Sequence, residues 1–236
     1  MTCRAQRARM RAHAPILGLH GVGFLAGARL MVSKSKSPVR GRYIFVDHSN
    51  LWGGARWASK CIDPAKNDHD ARVSIKAFNK LIGGRRDGVI SKIVSGGIPP
   101  GMEGLWEEYQ RNGFDTQRLI RDIHWKERGV DHSLIGHMWR LLAKHRESDT
   151  DMVLVSGDGK HNEFNTSFRE IVEEVLLHSR YQSWNVILYS FDINDRIPEG
   201  SPNSPTHKKM RTITEESERG TFVNLTYSYD ELVYHE

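Results

Sequence analysis

From residue 42 onward, short apolar runs with strand propensity alternate with longer runs of helical periodicity. This alternation constrains the fold more than any other feature of the chain. Strand-like runs cover Tyr43–Asp47, Gly88–Ser95, Asp115–Ile120, Asp151–Ser156 and Trp184–Phe191, and a last one covers Thr221–Tyr227. Between them, Ser74–Ile82 is apolar at Ile75, Phe78, Leu81 and Ile82, and Gly101–Asn112 is a short helical segment after Pro99-Pro100. Val130–His145 carries Leu134, Ile135, Met138, Leu141 and Leu142 on one stripe. Phe164–His178 does the same with Phe168, Ile171, Val172, Val175 and Leu176. Strands that alternate with helices predict an α/β fold with a mostly parallel sheet covered on both faces. Residues 195–219 break the pattern. Their Pro, Ser and charge content predicts a long loop or insertion.

Length and charge bound the organisation. A chain of 236 residues supports one substantial core, or at most two small ones. The net charge of +5 misleads, because residues 1–40 hold eight Lys/Arg and no Asp/Glu. The 34 basic residues less those eight leave 26, against 29 acids, so the region after the tail is mildly acidic. The pI therefore gives no argument for nucleic-acid binding by the folded part. The tail reads as a disordered extension, as sequence ahead of a later start at Met31, or as an Arg-rich mitochondrial presequence. Its apolar stretch, Pro15–Val32, is interrupted by four glycines and His20, so no membrane span is expected. Cys3 and Cys61 have no CxxC spacing, which fits a reducing compartment and a cytoplasmic location, or a mitochondrial one if the tail is a presequence.

The acids fall where an open parallel sheet binds ligands, outside the carboxyl ends of its strands. Asp47 ends the first strand, with Asn50 one turn beyond. Asp158 follows the fourth strand in "SGDGK". Asp131 opens the helix that feeds that strand. If the first and fourth strands are neighbours, these side chains can meet at one edge. Clustered carboxylates repel unless a cation sits between them. Mg²⁺ and Mn²⁺ prefer such oxygen donors and activate water for phosphodiester hydrolysis. Each residue also has a plainer role: Asp131 and Asn50 as helix caps, Asp158 as a turn residue, Asp47 as acceptor for the N–H groups of a following helix. His48 and His161 border the expected pocket as loop residues. Trp57 and Trp125 are candidates for base stacking, and Trp52 for core packing.

Three segments, "YIFVDHSNL", "RGVDHSLIGHMWRLL" and "MVLVSGDGKHNEF", resemble in order and spacing the motifs of the NYN domain, a branch of the PIN-like nuclease superfamily. "SWNVILYSF" and "GTFVNLTYSYDEL" resemble its later strands, so the likeness covers residues 42–236. It implies a Rossmann-like three-layer α/β/α sandwich and a metal-dependent endoribonuclease acting on single-stranded RNA. By position, Asp47, Asp131 and Asp158 would hold Mg²⁺ or Mn²⁺, and Asn50 would orient a water or ligand. Ser156 would shape the turn, and Arg128 stands where the family has Lys. The sequence departs at Lys160, where many members carry a second acid. Lys160 would pair a substrate phosphate or weaken the metal site, and Glu163 is a candidate replacement acid. A site degraded in this way predicts the alternative, an RNA- or protein-binding module on the same fold. A homodimer or protein partner is a further option, and a metal-dependent nucleotide phosphatase is a third reading.

Overall fold

The computed structural model describes residues 39–84, 86–97, 103–119, 130–145, 148–157, 167–192 and 204–235. Six strands form one sheet: β1 (Gly41–Asp47), β3 (Val89–Gly97), β4 (Asp115–Leu119), β5 (Thr150–Val155), β6 (Trp184–Ser190) and β7 (Gly220–Asn224). Their order is β4-β3-β1-β5-β6-β7, and every pairing is parallel. β1 is buried almost throughout, as expected of a central strand covered on both faces. Succession runs outward from β1 through β3 to β4, then crosses back to β5 and runs out through β6 to β7. The strand order thus reverses between β1 and β5.

Two apolar layers flank the sheet. On one face, Ile44, Val46, Val94 and Val153 pack with α1 (His48–Ile62), α2 (Ile75–Leu81) and α3 (Glu103–Arg111), through Leu51, Ala55, Ile75, Phe78, Trp106 and Tyr109. On the other face, Phe45, Ile93, Leu154 and Leu188 pack with α4 (Val130–Lys144), α5 (Phe168–Leu177) and α6 (Ser204–Glu216), through Leu134, Met138, Ile171, Val175 and Met210. The protein is therefore the expected α/β/α sandwich with a parallel central sheet. The helices start where their sequences offer caps. Ser74 accepts the Ala77 N–H for α2, and Ser167 with Glu170 closes a capping box on α5.

Three segments differ from the sequence expectation. Residues 204–216, expected to lie in a loop, form α6. Pro205 stands in the first turn, where a missing N–H costs nothing, and Met210 and Thr214 are fully buried. The helix presses on β7 closely enough that a Cβ on Gly220 would lie 1.9 Å from the Thr214 carbonyl oxygen. The last strand ends at Asn224 rather than Tyr227. The chain then turns through residues 225–228 and α7 (Tyr229–Leu232) into β8 (Val233–His235). β8 pairs antiparallel with β2 (Ala71–Val73) in a small second sheet. Among the described residues, no helix is long and apolar enough to cross a membrane.

Candidate functional site

Strand order reverses between β1 and β5, and open α/β sheets bind ligands outside the carboxyl ends of the strands at such a point. Asp47 ends β1 at this point and is 1% exposed. Its carboxylate caps α1, accepting the Asn50 backbone N–H at 3.1 Å and the Asn50 side-chain amide. Because that amide points to Asp47, the Asn50 Oδ1 faces away from it, toward the end of β5. A Cβ on Gly157 would lie 3.6 Å from this oxygen and 3.1 Å from the Ser190 Oγ. The Ser156-Gly157 turn therefore runs over Asn50 with little room for a larger residue.

Register extends the site sideways. Asp47 pairs with Ser95 of β3, which pairs with Gln117 of β4. Val46 pairs with Val155 of β5, so Ser156 follows beside Asp47. The Ser156 N–H donates to the Tyr189 carbonyl, and the next residue on β6, Ser190, pairs with Asn224 of β7. A polar residue thus stands at one level across the sheet, at or near the carboxyl end of each strand: Gln117, Ser95, Asp47, Ser156, Ser190 and Asn224. Strand side chains alternate between faces. Phe45, Ile93, Leu154, Leu188 and Phe222, each two residues earlier, lie in the layer with α4–α6. The polar row therefore emerges on that same face.

The first turns of α4 sit against this row. Ser133 donates its hydroxyl to the Gln117 Oε1, and the Gln117 amide donates to the His137 Nε2 at 2.6 Å. Burial, helped by Arg140 and opposed by Asp115, lowers the His137 pKa, which favours the neutral ring that such an acceptor requires. Asp131 occupies the same first turn, half-buried, so the α4 N-terminus brings a second acid to the edge that carries Asp47.

The sequence candidates divide as follows. Asp47, Asn50, Ser156 and Asp131 belong to described elements on this edge. Asp158, Lys160, Glu163, Arg128, His161 and Trp125 lie outside the described residues. Among the described residues, no three His, Cys, Asp or Glu side chains group to hold a metal ion. His48 is not an exposed loop residue. It opens α1, is buried against Trp106 and Tyr109, and its Nδ1 lies 3.1 Å from the Tyr109 hydroxyl. Trp52 is half-buried and donates to the Ala71 carbonyl, whereas Trp57 is exposed. Ser95, Gln117, Ser190 and Asn224 were not expected from sequence. Ser95, Ser190 and Asn224 each follow apolar residues and Gln117 lies in a polar strand, and only register reveals that they align.

Farther along the edge, a cavity of about 380 Å³ opens beside β7. Asp192, Arg211, Glu215, Asn224, Tyr227 and Ser228 line it, and Arg211 pairs with both Asp192 and Glu215.

No protein-family model matches the chain, and no curated protein does. Among solved structures, it is similar to a Vibrio parahaemolyticus protein of unknown function, with 13% identity and a TM-score of 0.49 over 84% of this chain and 99% of that one.

Proposed function

We propose that the carboxyl edge of β1 and β5 is a divalent-cation site, and that the protein is an NYN-type, Mg²⁺- or Mn²⁺-dependent endoribonuclease acting on single-stranded RNA. The observation that carries this reading is the adjacency of β1 and β5 at the point where strand order reverses. It brings the D-x-x-N segment, Asp47 to Asn50, beside the Ser156-Gly157 turn that leads to Asp158. The donor set at this edge fits such an ion. Its described members offer carboxylate, amide and hydroxyl oxygens, the ligand types hard cations prefer, and the nearest buried imidazole, His48, faces the aromatic layer instead.

Asp47, Asp131 and Asp158 would hold the ion, with Glu163 as a further acid. When bound, such an ion polarises a phosphoryl oxygen and makes its water a stronger nucleophile. The chain's own residues do the positioning. Asn50 fixes the Asp47 carboxylate through its side-chain amide. The N-terminus of the 15-residue α4 carries partial positive charge that favours a phosphate. Lys160 and Arg128 would neutralise substrate phosphates. The reaction would take place in the cytoplasm, or in mitochondria if residues 1–40 serve as a presequence.

A second reading follows from Lys160, which stands where the resemblance calls for an acid: the same edge grips RNA or a protein without cutting. Labelled single-stranded RNA incubated with the full-length protein and Mn²⁺ separates the two. The nuclease reading expects cleavage that a chelator stops and that Asp47→Asn reduces roughly 100-fold or more, since even outer-shell changes at metal sites cost up to that much. RNA that is bound but left whole by the wild type would favour the second reading. Cleavage undiminished in the variant would place the chemistry elsewhere.

A further inference from the structure

Ser95 is fully buried, and its hydroxyl has no hydrogen-bond partner among the described residues. Buried hydroxyls rarely go unsatisfied, and one that does calls for an explanation. The nearest side-chain amide is engaged elsewhere. Ser95 lies inside a parallel ladder between β1 and β4. The neighbouring Gln117 uses its carboxamide at both ends, accepting from Ser133 and donating to His137. Removing the hydroxyl would therefore break no hydrogen bond seen in the structure.

Its position is informative. Ser95 is the register partner of Asp47, and both follow residues of the same apolar layer, Ile93 and Phe45. The Cβ atoms of both residues thus leave one face of adjacent strands about 4.8 Å apart, and the Asp47 carboxylate bends from there to the first turn of α1. The first turn of α4, which contains Asp131, is tied to the next strand over through Ser133. The hydroxyl accordingly lies between the strand that ends in Asp47 and the strand to which the Asp131 helix is anchored.

We infer that Ser95 supplies an inward-facing hydroxyl oxygen to the divalent-cation site of Asp47, as a ligand of the ion. The inference rests on the cation reading above and adds to it a donor from β3. A hydroxyl is a hard oxygen donor of the kind Mg²⁺ and Mn²⁺ accept beside carboxylates and water. Coordination would give this oxygen the partner it lacks.

Mn²⁺ binding to the full-length protein, followed by the electron paramagnetic resonance of free Mn²⁺, tests this alongside thermal melting without metal. Ser95→Ala is expected to weaken Mn²⁺ binding roughly tenfold while leaving the apo melting temperature equal or higher, because no bond is lost. Ser95→Cys is nearly isosteric and offers a soft sulfur. It should weaken Mn²⁺ while improving binding of the thiophilic Cd²⁺ relative to wild type. A purely packing role would shift neither preference. Wild-type Mn²⁺ affinity in both variants would overturn the role of Ser95 and leave the cation site standing. Failure of the wild type to bind Mn²⁺ saturably would sink the cation reading, and this inference with it.

Discussion

The Asp47 carboxylate ends β1 and starts α1 at once. One oxygen takes the Asn50 backbone N–H and the other the Asn50 side-chain amide. Asparagine caps helices about as well as aspartate, so Asp47→Asn removes the charge while keeping a cap acceptor. That makes it a cleaner probe of the site than Asp47→Ala, which deletes both. Asp151, at the opposite edge of the sheet, shows what a carboxylate does in a purely structural setting. It accepts from Arg40 and Arg42 at 2.9 Å each and from Asn185 at 3.1 Å. Burial pushes its pKa up, but the hydrogen bonds from Arg42, Arg40 and Asn185 together outweigh it, and the net shift is downward. A folded pKa below the unfolded one favours the native state while the group is ionised. The contribution is full at neutral pH and is lost as pH falls from about 4, the unfolded value, through the lower folded value. Asp151→Asn should therefore destabilise the protein by roughly 2 kcal/mol at pH 7, and urea titrations should show the gap closing below about pH 4. A gap that persists unchanged at pH 2 would contradict this account. Residue identity alone made Asp47 and Asn50 legible as site candidates, because an acid at a strand end is unusual. It could not mark Ser95, since a serine after an apolar run has many ordinary uses.

At the scale of elements, α6 is the instructive case. Pro, Ser and charge made residues 195–219 read as a loop, yet 204–216 are helical. The helical signal was weak because the stripe is sparse. Met210 and Thr214 are buried one turn apart, and Ile213 packs beside them. Arg211 and Glu215 form an i,i+4 pair on the outer side. Tertiary packing against α5 and β7, rather than propensity, holds such a helix. Met210→Ala should accordingly cost about 2–5 kcal/mol, as for other buried Met truncations, measurable by chemical denaturation. A loss near zero would mean that α6 does not contribute to the core. α4 and α5 were readable beforehand because each carries a dense 3.6-residue stripe. α1 was legible only as a helix following Asp47, without bounds, because Gly53, Gly54 and Arg56 dilute its apolar face to Leu51, Ala55 and Ala58.

At the scale of the molecule, the alternation of strands and helices made the layered fold legible, and the six strands of the central sheet were read from the sequence, whereas the short β2 and β8 were not. Strand order was not legible either. The value of Asp47 depends on β5, not β3 alone, lying beside β1, and no local pattern encodes that adjacency. The row from Gln117 to Asn224 is likewise a property of register across six strands. The cavity between Asp192, Arg211 and Glu215 lies on the same edge, about 10–15 Å from Asp47 by strand spacing, and offers carboxylates of its own. Arg211 already pairs with both of them, so a cation there would have to displace its guanidinium. Crystals of the full-length protein grown with Mn²⁺ and measured for anomalous scattering decide between the two. The account predicts an anomalous peak outside the carboxyl ends of β1 and β5, coordinated by Asp47 and Asp131. No peak there, or a peak only in the Asp192–Glu215 cavity, would contradict it.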